Sequence, residues 1–136
     1  MTWTLRCRDR TIEIGRTALM AIVNASPESF SGDGDTDLQG QVAAAAAGWA
    51  AGALLVDVGG QSANTKTPEL DAEEEVRRVA PLVAAIRRQH DGLISVDTYK
   101  AALAAAALAA GADVINDVSG LRDPALAEVV AEHRAG

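Results

Sequence analysis

Four apolar runs, each closed by an acid or an amide, constrain this chain more than any other feature. They read AIVN ending at Asn24, LLVD ending at Asp57, ISVD ending at Asp97 and DVIN ending at Asn116. Short apolar runs bounded by polar loops suit strands buried inside a parallel sheet. The expected strands are Ala18 to Val23, Leu54 to Val58, Leu93 to Val96 and Val114 to Val118. The first of these, ALMAIV, is apolar throughout and is expected to be buried on both faces.

Helical stretches separate and follow the strands. Leu38 to Ala51 is dominated by alanine and stops at Gly52. Asp71 opens a second helix, with Glu73, Glu74 and Glu75 in the turn where the helix dipole favours negative charge. Val76, Val79, Val83 and Ile86 mark its apolar face, and Arg77, Arg78, Arg87 and Arg88 are assigned to its solvated side. Lys100 to Ala110 is a third, alanine-rich helix closed by Gly111. Pro124 to His133 is a fourth, with Asp123 as its cap and Pro124 in first position. Ahead of all this, Trp3 to Ile14 alternates in a strand-like way around Arg8-Asp9-Arg10, which predicts a hairpin within residues 1–15.

The predicted fold class is therefore α/β: an N-terminal β-hairpin followed by about four βα units. Alternating units of this kind build a parallel sheet with right-handed crossovers. A short internal repeat supports the reading. Ala50-Ala51-Gly52-Ala53 and Ala109-Ala110-Gly111-Ala112 each precede a strand, and five residues beyond each glycine stand Asp57 and Asn116.

In such folds the C-terminal ends of the strands all point to one face, where sites are built. Asn24, Asp57, Asp97 and Asn116 are thus expected around one opening. Strand-end Asp and Asn also cap turns, which suffices for any one of them. All four closing apolar runs points to a site. Two carboxylates and two amides match a nitrogen-rich heterocycle with N–H groups and ring nitrogens. The loops add Ser26, Ser29, Ser31, Gly32 and Gly34, then Gly59, Gly60 and Ser62. Such hydroxyls and backbone N–H groups can cradle a phosphate, though ordinary turns have the same composition.

Other chemistries lack their residues. The chain has no HExxH, CxxC, GxSxG, GxGxxG or P-loop pattern. His90 and His133 have no evident catalytic partner. A net charge of −7 with 3% aromatic residues disfavours nucleic acid and anionic membranes. Cys7 is the single cysteine, read as a small strand residue, and fits a cytoplasmic protein. No apolar run is long enough to span a membrane.

At the loops the sequence resembles the dihydropteroate synthase family. Asn24-Ala25-Ser26-Pro27-Glu28-Ser29-Phe30-Ser31 is similar to the family's N-x-T-P-D-S-F-S. Val56-Asp57-Val58-Gly59-Gly60-Gln61-Ser62 is similar to D-[IV]-G-G-E-S. Ser95 to Lys100 matches S-[IV]-D-T-[YW]-K, and Gly111 to Gly120 matches G-A-x-[IL]-[IV]-N-D-[IV]-x-G. The blocks stand in the family's order from about Leu19 to Pro124.

The resemblance implies half of a (β/α)8 barrel, with residues 1–136 forming a partial pterin-binding domain. It implies a transferase that joins 6-hydroxymethyl-7,8-dihydropterin pyrophosphate to p-aminobenzoate and releases pyrophosphate, with Mg²⁺, in folate biosynthesis. It assigns Asn24 to the metal and pyrophosphate loop. It assigns Asp57, Asp97 and Asn116 to the pterin pocket and places Val118 near the ring. Gln61 and Ser62 fall in the second loop, which helps enclose p-aminobenzoate. No covalent nucleophile is implied. The full-length protein is expected to be a homodimer, and these 136 residues are expected to be truncated and inactive alone.

The chain departs from the family where Thr-Arg-Pro gives way to Ala63-Asn64-Thr65 and where Glu gives way to Gln61. Both departures bear on the second substrate. Two other readings share the same residues: a pterin-binding methyltransferase of the same barrel class, and a non-catalytic half-barrel that associates with itself.

Overall fold

A computed structural model describes residues 1–25, 34–60 and 70–136, with the side chains of 34–36 left aside. The hairpin comes first, β1 (Trp3–Cys7) and β2 (Arg10–Ile14). It is followed by β3 (Met20–Asn24), α1 (Gly34–Ala50), β4 (Leu55–Gly59), α2 (Ala72–Gln89), β5 (Leu93–Asp97), α3 (Ala101–Ala110), β6 (Val114–Asn116) and α4 (Pro124–Glu132). The main sheet is parallel, with strand order β3-β4-β5-β6, and β1 and β2 form an antiparallel pair of their own. The strands and helices stand in the order the sequence predicts.

One face of the sheet carries Val23, Val56, Val58, Ile94 and Val96, all buried. Helix α1 packs on β3 and β4, and α2 packs on β4 and along α3. The alanines of α3 make that helix pairing close: Leu103, Ala104, Ala107 and Leu108 are all buried. A helix rich in alanine has little side chain to keep a neighbour away, so backbones approach and dispersion contacts accumulate. Gly48 shows the same economy on α1, where a Cβ would come within 2.6 Å of the Ala21 Cβ. Gly111 ends α3 at φ 118°, a conformation that favours glycine.

Asp71 caps α2 as predicted, accepting from the Glu74 N–H at 2.9 Å. Arg87, assigned to the solvated side of α2, instead turns inward. Its guanidinium donates to the carbonyls of Gly111 (3.0 Å), His90 (3.1 Å) and Gly92 (3.0 Å) and meets Asp113 Oδ2 at 2.6 Å. Asp113 is buried and also accepts from the Ile94 N–H at 3.0 Å. Five donors in a rigid fork let one arginine satisfy several carbonyls at the helix and strand termini at once.

Two strand expectations are corrected. β3 runs Met20–Asn24 rather than Ala18 to Val23, and it is covered on one face only, with Ile22 69% exposed. It is an edge strand, and α1 covers its outer face alone. β6 ends at Asn116, not Val118. The Asp117 carboxylate accepts from the N–H groups of Ser119 and Leu121, both at 2.7 Å, and this local turn takes the chain out of the sheet.

The hairpin closes the N-terminal end of the strands. The Arg8 backbone N–H donates to Arg134 O, and its side chain donates to the carbonyls of Ala112 and Leu108. Cys7 is buried there, as expected of a strand residue. Gly136 pairs with Asp113 and Ile115 in the manner of a further parallel strand beside β6.

Candidate functional site

Parallel register fixes which strand-end residues share a face. Asn24 lies opposite Gly59, Gly59 opposite Asp97, and Asp97 opposite Asn116. Side chains two apart on a strand point the same way. Asp57, two residues before Gly59 and opposite Ser95, therefore joins the same face. That face is the one the helices leave uncovered. Asn24, Asp57, Asp97 and Asn116 thus stand together at the C-terminal ends of the strands, as predicted.

A hydrogen bond ties two of this set together. Asn116 Nδ2 donates to Asp57 Oδ2 at 3.2 Å. Asp57 is 4% exposed, and its Oδ1 has no hydrogen-bond partner among the described residues. Ser95 Oγ, opposite it in the sheet, is likewise buried and without a partner among the described residues. Buried polar atoms are normally satisfied, because leaving one bare costs about 1–3 kcal/mol. These two atoms stand on neighbouring strands, on the face that the helices leave uncovered. Burial pushes the Asp97 carboxyl up from its ordinary range, and the nearby charges of Asp57, Glu75 and Asp117 push it further. Asp117 moves the other way, held low chiefly by the hydroxyl of Ser119.

The surroundings are built from the same segments. The Thr98 N–H donates to Asn116 O at 3.1 Å, and Thr98 Oγ1 accepts from the Lys100 N–H at 2.9 Å. This locks the turn after β5 to the end of β6. Val118 lies past β6 and is 77% exposed, on the rim rather than against the polar set. Gln61 and Ser62 lie outside the described residues, as do Ser26, Ser29, Ser31, Gly32 and Ser62's neighbours through 69. Ser95, Thr98, Glu75 and Asp117 were not singled out by the strand-end pattern. Ser95 had a signal, since it sits two residues before Asp97 and so on the same side of the strand.

His90 packs its ring against Trp49 with centroids 5.5 Å apart, and His133 Nδ1 lies 2.9 Å from Val129 O. Neither belongs to the site. A hollow lined by residues 13–19 and 52–54 lies at the opposite end of the strands, under the hairpin. Among the described residues no group of three His, Cys, Asp or Glu side chains could hold a metal ion, and no helix is long and apolar enough to cross a membrane.

Residues 20–136 match the family model described as pterin binding enzyme. A Haloferax volcanii protein named a probable bifunctional folylpolyglutamate synthase/dihydropteroate synthase is 48% identical over 120 residues, which cover 88% of this chain and 14% of that protein. A Streptococcus pyogenes dihydropteroate synthase is 42% identical over 121 residues, 88% of this chain and 46% of that enzyme. The crystal structure of 7,8-dihydropteroate synthase from Vibrio fischeri ES114 superposes with a TM-score of 0.86 at 36% identity, covering 98% of this chain and 48% of that one. The chain therefore spans no more than about half the length of these relatives. Its four-stranded parallel sheet with outer helices resembles part of their barrel. The chain belongs to the pterin-binding enzyme family, of the dihydropteroate synthase type.

Proposed function

We propose that this chain supplies the pterin-reading wall of a dihydropteroate synthase. Such an enzyme joins 6-hydroxymethyl-7,8-dihydropterin pyrophosphate to p-aminobenzoate. The observation that carries the reading is the buried Asp57 carboxylate. One oxygen is engaged by Asn116, and the other has no hydrogen-bond partner among the described residues. Beside it Asp97 offers acceptors, and the Asn116 amide offers a carbonyl oxygen. The N–H donors along a pterin edge complement those acceptors. Val118 on the rim is assigned to apolar contact with the ring, and Gln61 and Ser62 to the loop that encloses the second substrate.

In the reaction, the aryl amine nitrogen forms a bond to the pterin methylene carbon. The C–O bond to pyrophosphate breaks, pyrophosphate leaves with the electron pair, and the amine gives up a proton. No covalent intermediate on the protein is required. The chain's own residues bind and orient the pterin, which sets the methylene carbon at the mouth.

Mg²⁺ is the metal this reading implies. Asn24 is exposed at the end of β3 and offers one hard amide oxygen. With no described cluster of acidic ligands, an ion there would draw most of its coordination from substrate phosphates and water, as Mg²⁺ commonly does. When bound, it would stabilise the charge of the leaving pyrophosphate. The resemblance also supports a cytoplasmic enzyme acting on small molecules, without nucleic acid, and a homodimer at full length.

Calorimetric titration with the pterin pyrophosphate and Mg²⁺ tests the reading. Saturable binding to the chain, lost in Asp97→Ala, is expected. Equal heats from both proteins contradict it.

A further inference from the structure

Among the described residues, Glu75 is a carboxylate of the site's surroundings that comes from a helix rather than from a strand end or the turn after it. It sits in the first turn of α2, buried. Lys100 Nζ approaches its Oε2 at 2.7 Å and also donates to the carbonyl of Leu70, just ahead of the α2 cap. Both side chains are largely removed from water, at 15% and 6% exposure. Burying such a pair carries a desolvation penalty that attraction often only balances, so stability alone is a weak reason to place one here.

The pair stands between the end of β4 and the turn after β5. Lys100 begins α3 and is three residues from Asp97, through the turn that Thr98 locks to Asn116. On the other side, Gly60 follows the strand end that faces Asp97. A Cβ at Gly60 would come within 3.6 Å of Glu75 Cγ and 3.7 Å of its Oε1. Glu75 thus lies under the end of β4 and, through Lys100, holds the turn after β5.

We propose that Glu75, held by Lys100, is a positioning residue for Asp97, fixing the turn that carries it and keeping a negative field at its carboxylate. This rests on the pterin-binding reading of the site and adds a residue outside its strand-end set. Among the described residues, the carboxylates that act on Asp97 are Asp57 from β4, Glu75 from α2 and Asp117 after β6, and Lys100 pairs with Glu75. A carboxylate crowded by three others is a stronger hydrogen-bond acceptor, and an N–H-rich ligand edge relieves the crowding.

The test is the carbon-13 titration of the Asp97 carboxyl by NMR, without ligand, in wild type, Glu75→Gln and Glu75→Gln/Lys100→Met. The double variant replaces a buried ion pair by neutral groups of similar size, a change folds commonly tolerate. Glu75→Gln is expected to titrate Asp97 lower by about half a pH unit or more, and the double variant, which removes one charge of each sign, to shift it less. Titration of the same proteins with 6-hydroxymethyl-7,8-dihydropterin is expected to show binding weakened about three- to tenfold, with Lys100→Arg retaining most of it. A pair that serves stability alone leaves the Asp97 midpoint unchanged, and that result overturns the inference. Wild type that binds no pterin, with the midpoint shift intact, overturns the pterin reading and leaves the coupling standing.

Discussion

Asn116 Nδ2 donates to Asp57 Oδ2 at 3.2 Å, a bond that joins β6 to β4 over the strand between them. Fifty-nine residues separate the two in sequence. The bond spends one donor of the amide on the carboxylate and orients both groups on the open face. Asp57 Oδ1 has no hydrogen-bond partner among the described residues, and the Asn116 amide keeps an oxygen that can accept.

Asp57→Asn should therefore weaken dihydropterin binding on the order of 10- to 100-fold, the worth of a charge-assisted hydrogen bond in a dry site. The change is nearly isosteric, so the thermal midpoint should fall little or rise. Fluorescence titration of the pterin reads the first and a melting curve the second. Undiminished affinity in a folded variant removes Asp57 from the site.

Asp97 links stability to pH with a definite sign. Its carboxyl is pushed above the ordinary value of 3.8, first by burial and then by Asp57, Glu75 and Asp117. A folded-state value above the unfolded one means that its contribution is fully present below about pH 3.8 and is lost as pH rises through the folded value. Asp97→Asn should therefore melt higher than wild type at pH 7, and the difference should shrink towards zero on acidification. Binding should be impaired by the same change. A variant less stable than wild type at pH 7 contradicts the sign.

Arg87→Ala should destabilise the fold by about 3–5 kcal/mol, because it strands the buried Asp113 carboxylate and several carbonyls. Arg87→Ala/Asp113→Ala should recover part of that loss. Urea denaturation of the single and double variants measures both. A loss below about 1 kcal/mol would class Arg87 with exposed ion pairs such as that of Arg77.

Gly92 lies against the Trp49 ring, and a Cβ there would come within 2.3 Å of Cε2. Gly92→Ala should cost about 1–3 kcal/mol, as overpacking does, and shift the Trp49 emission as the indole moves. An unchanged spectrum and melting point would show that the ring yields freely.

The order of strands and helices was legible because the apolar runs and the helix stops, Gly52 and Gly111, are local signals. The convergence of Asn24, Asp57, Asp97 and Asn116 was legible too, since βα alternation forces parallel register. The inward turn of Arg87 was not. Its partners, Gly111 and Asp113, come from a segment that only the packing of α2 along α3 brings near. Glu75 was read as favourable charge at a helix start, which it is, but its burial depends on Lys100 returning from the next βα unit. The exposure of Ile22 escaped for a related reason: an apolar run does not say what covers each face.

The most direct test follows backbone amide resonances of the chain as 6-hydroxymethyl-7,8-dihydropterin is added. Shifts concentrated at Asp57 to Gly60, Asp97 to Lys100 and Asn116 to Val118 are predicted. Shifts confined to the hairpin end of the strands, or none at saturating ligand, would contradict a pterin site at the strand mouth.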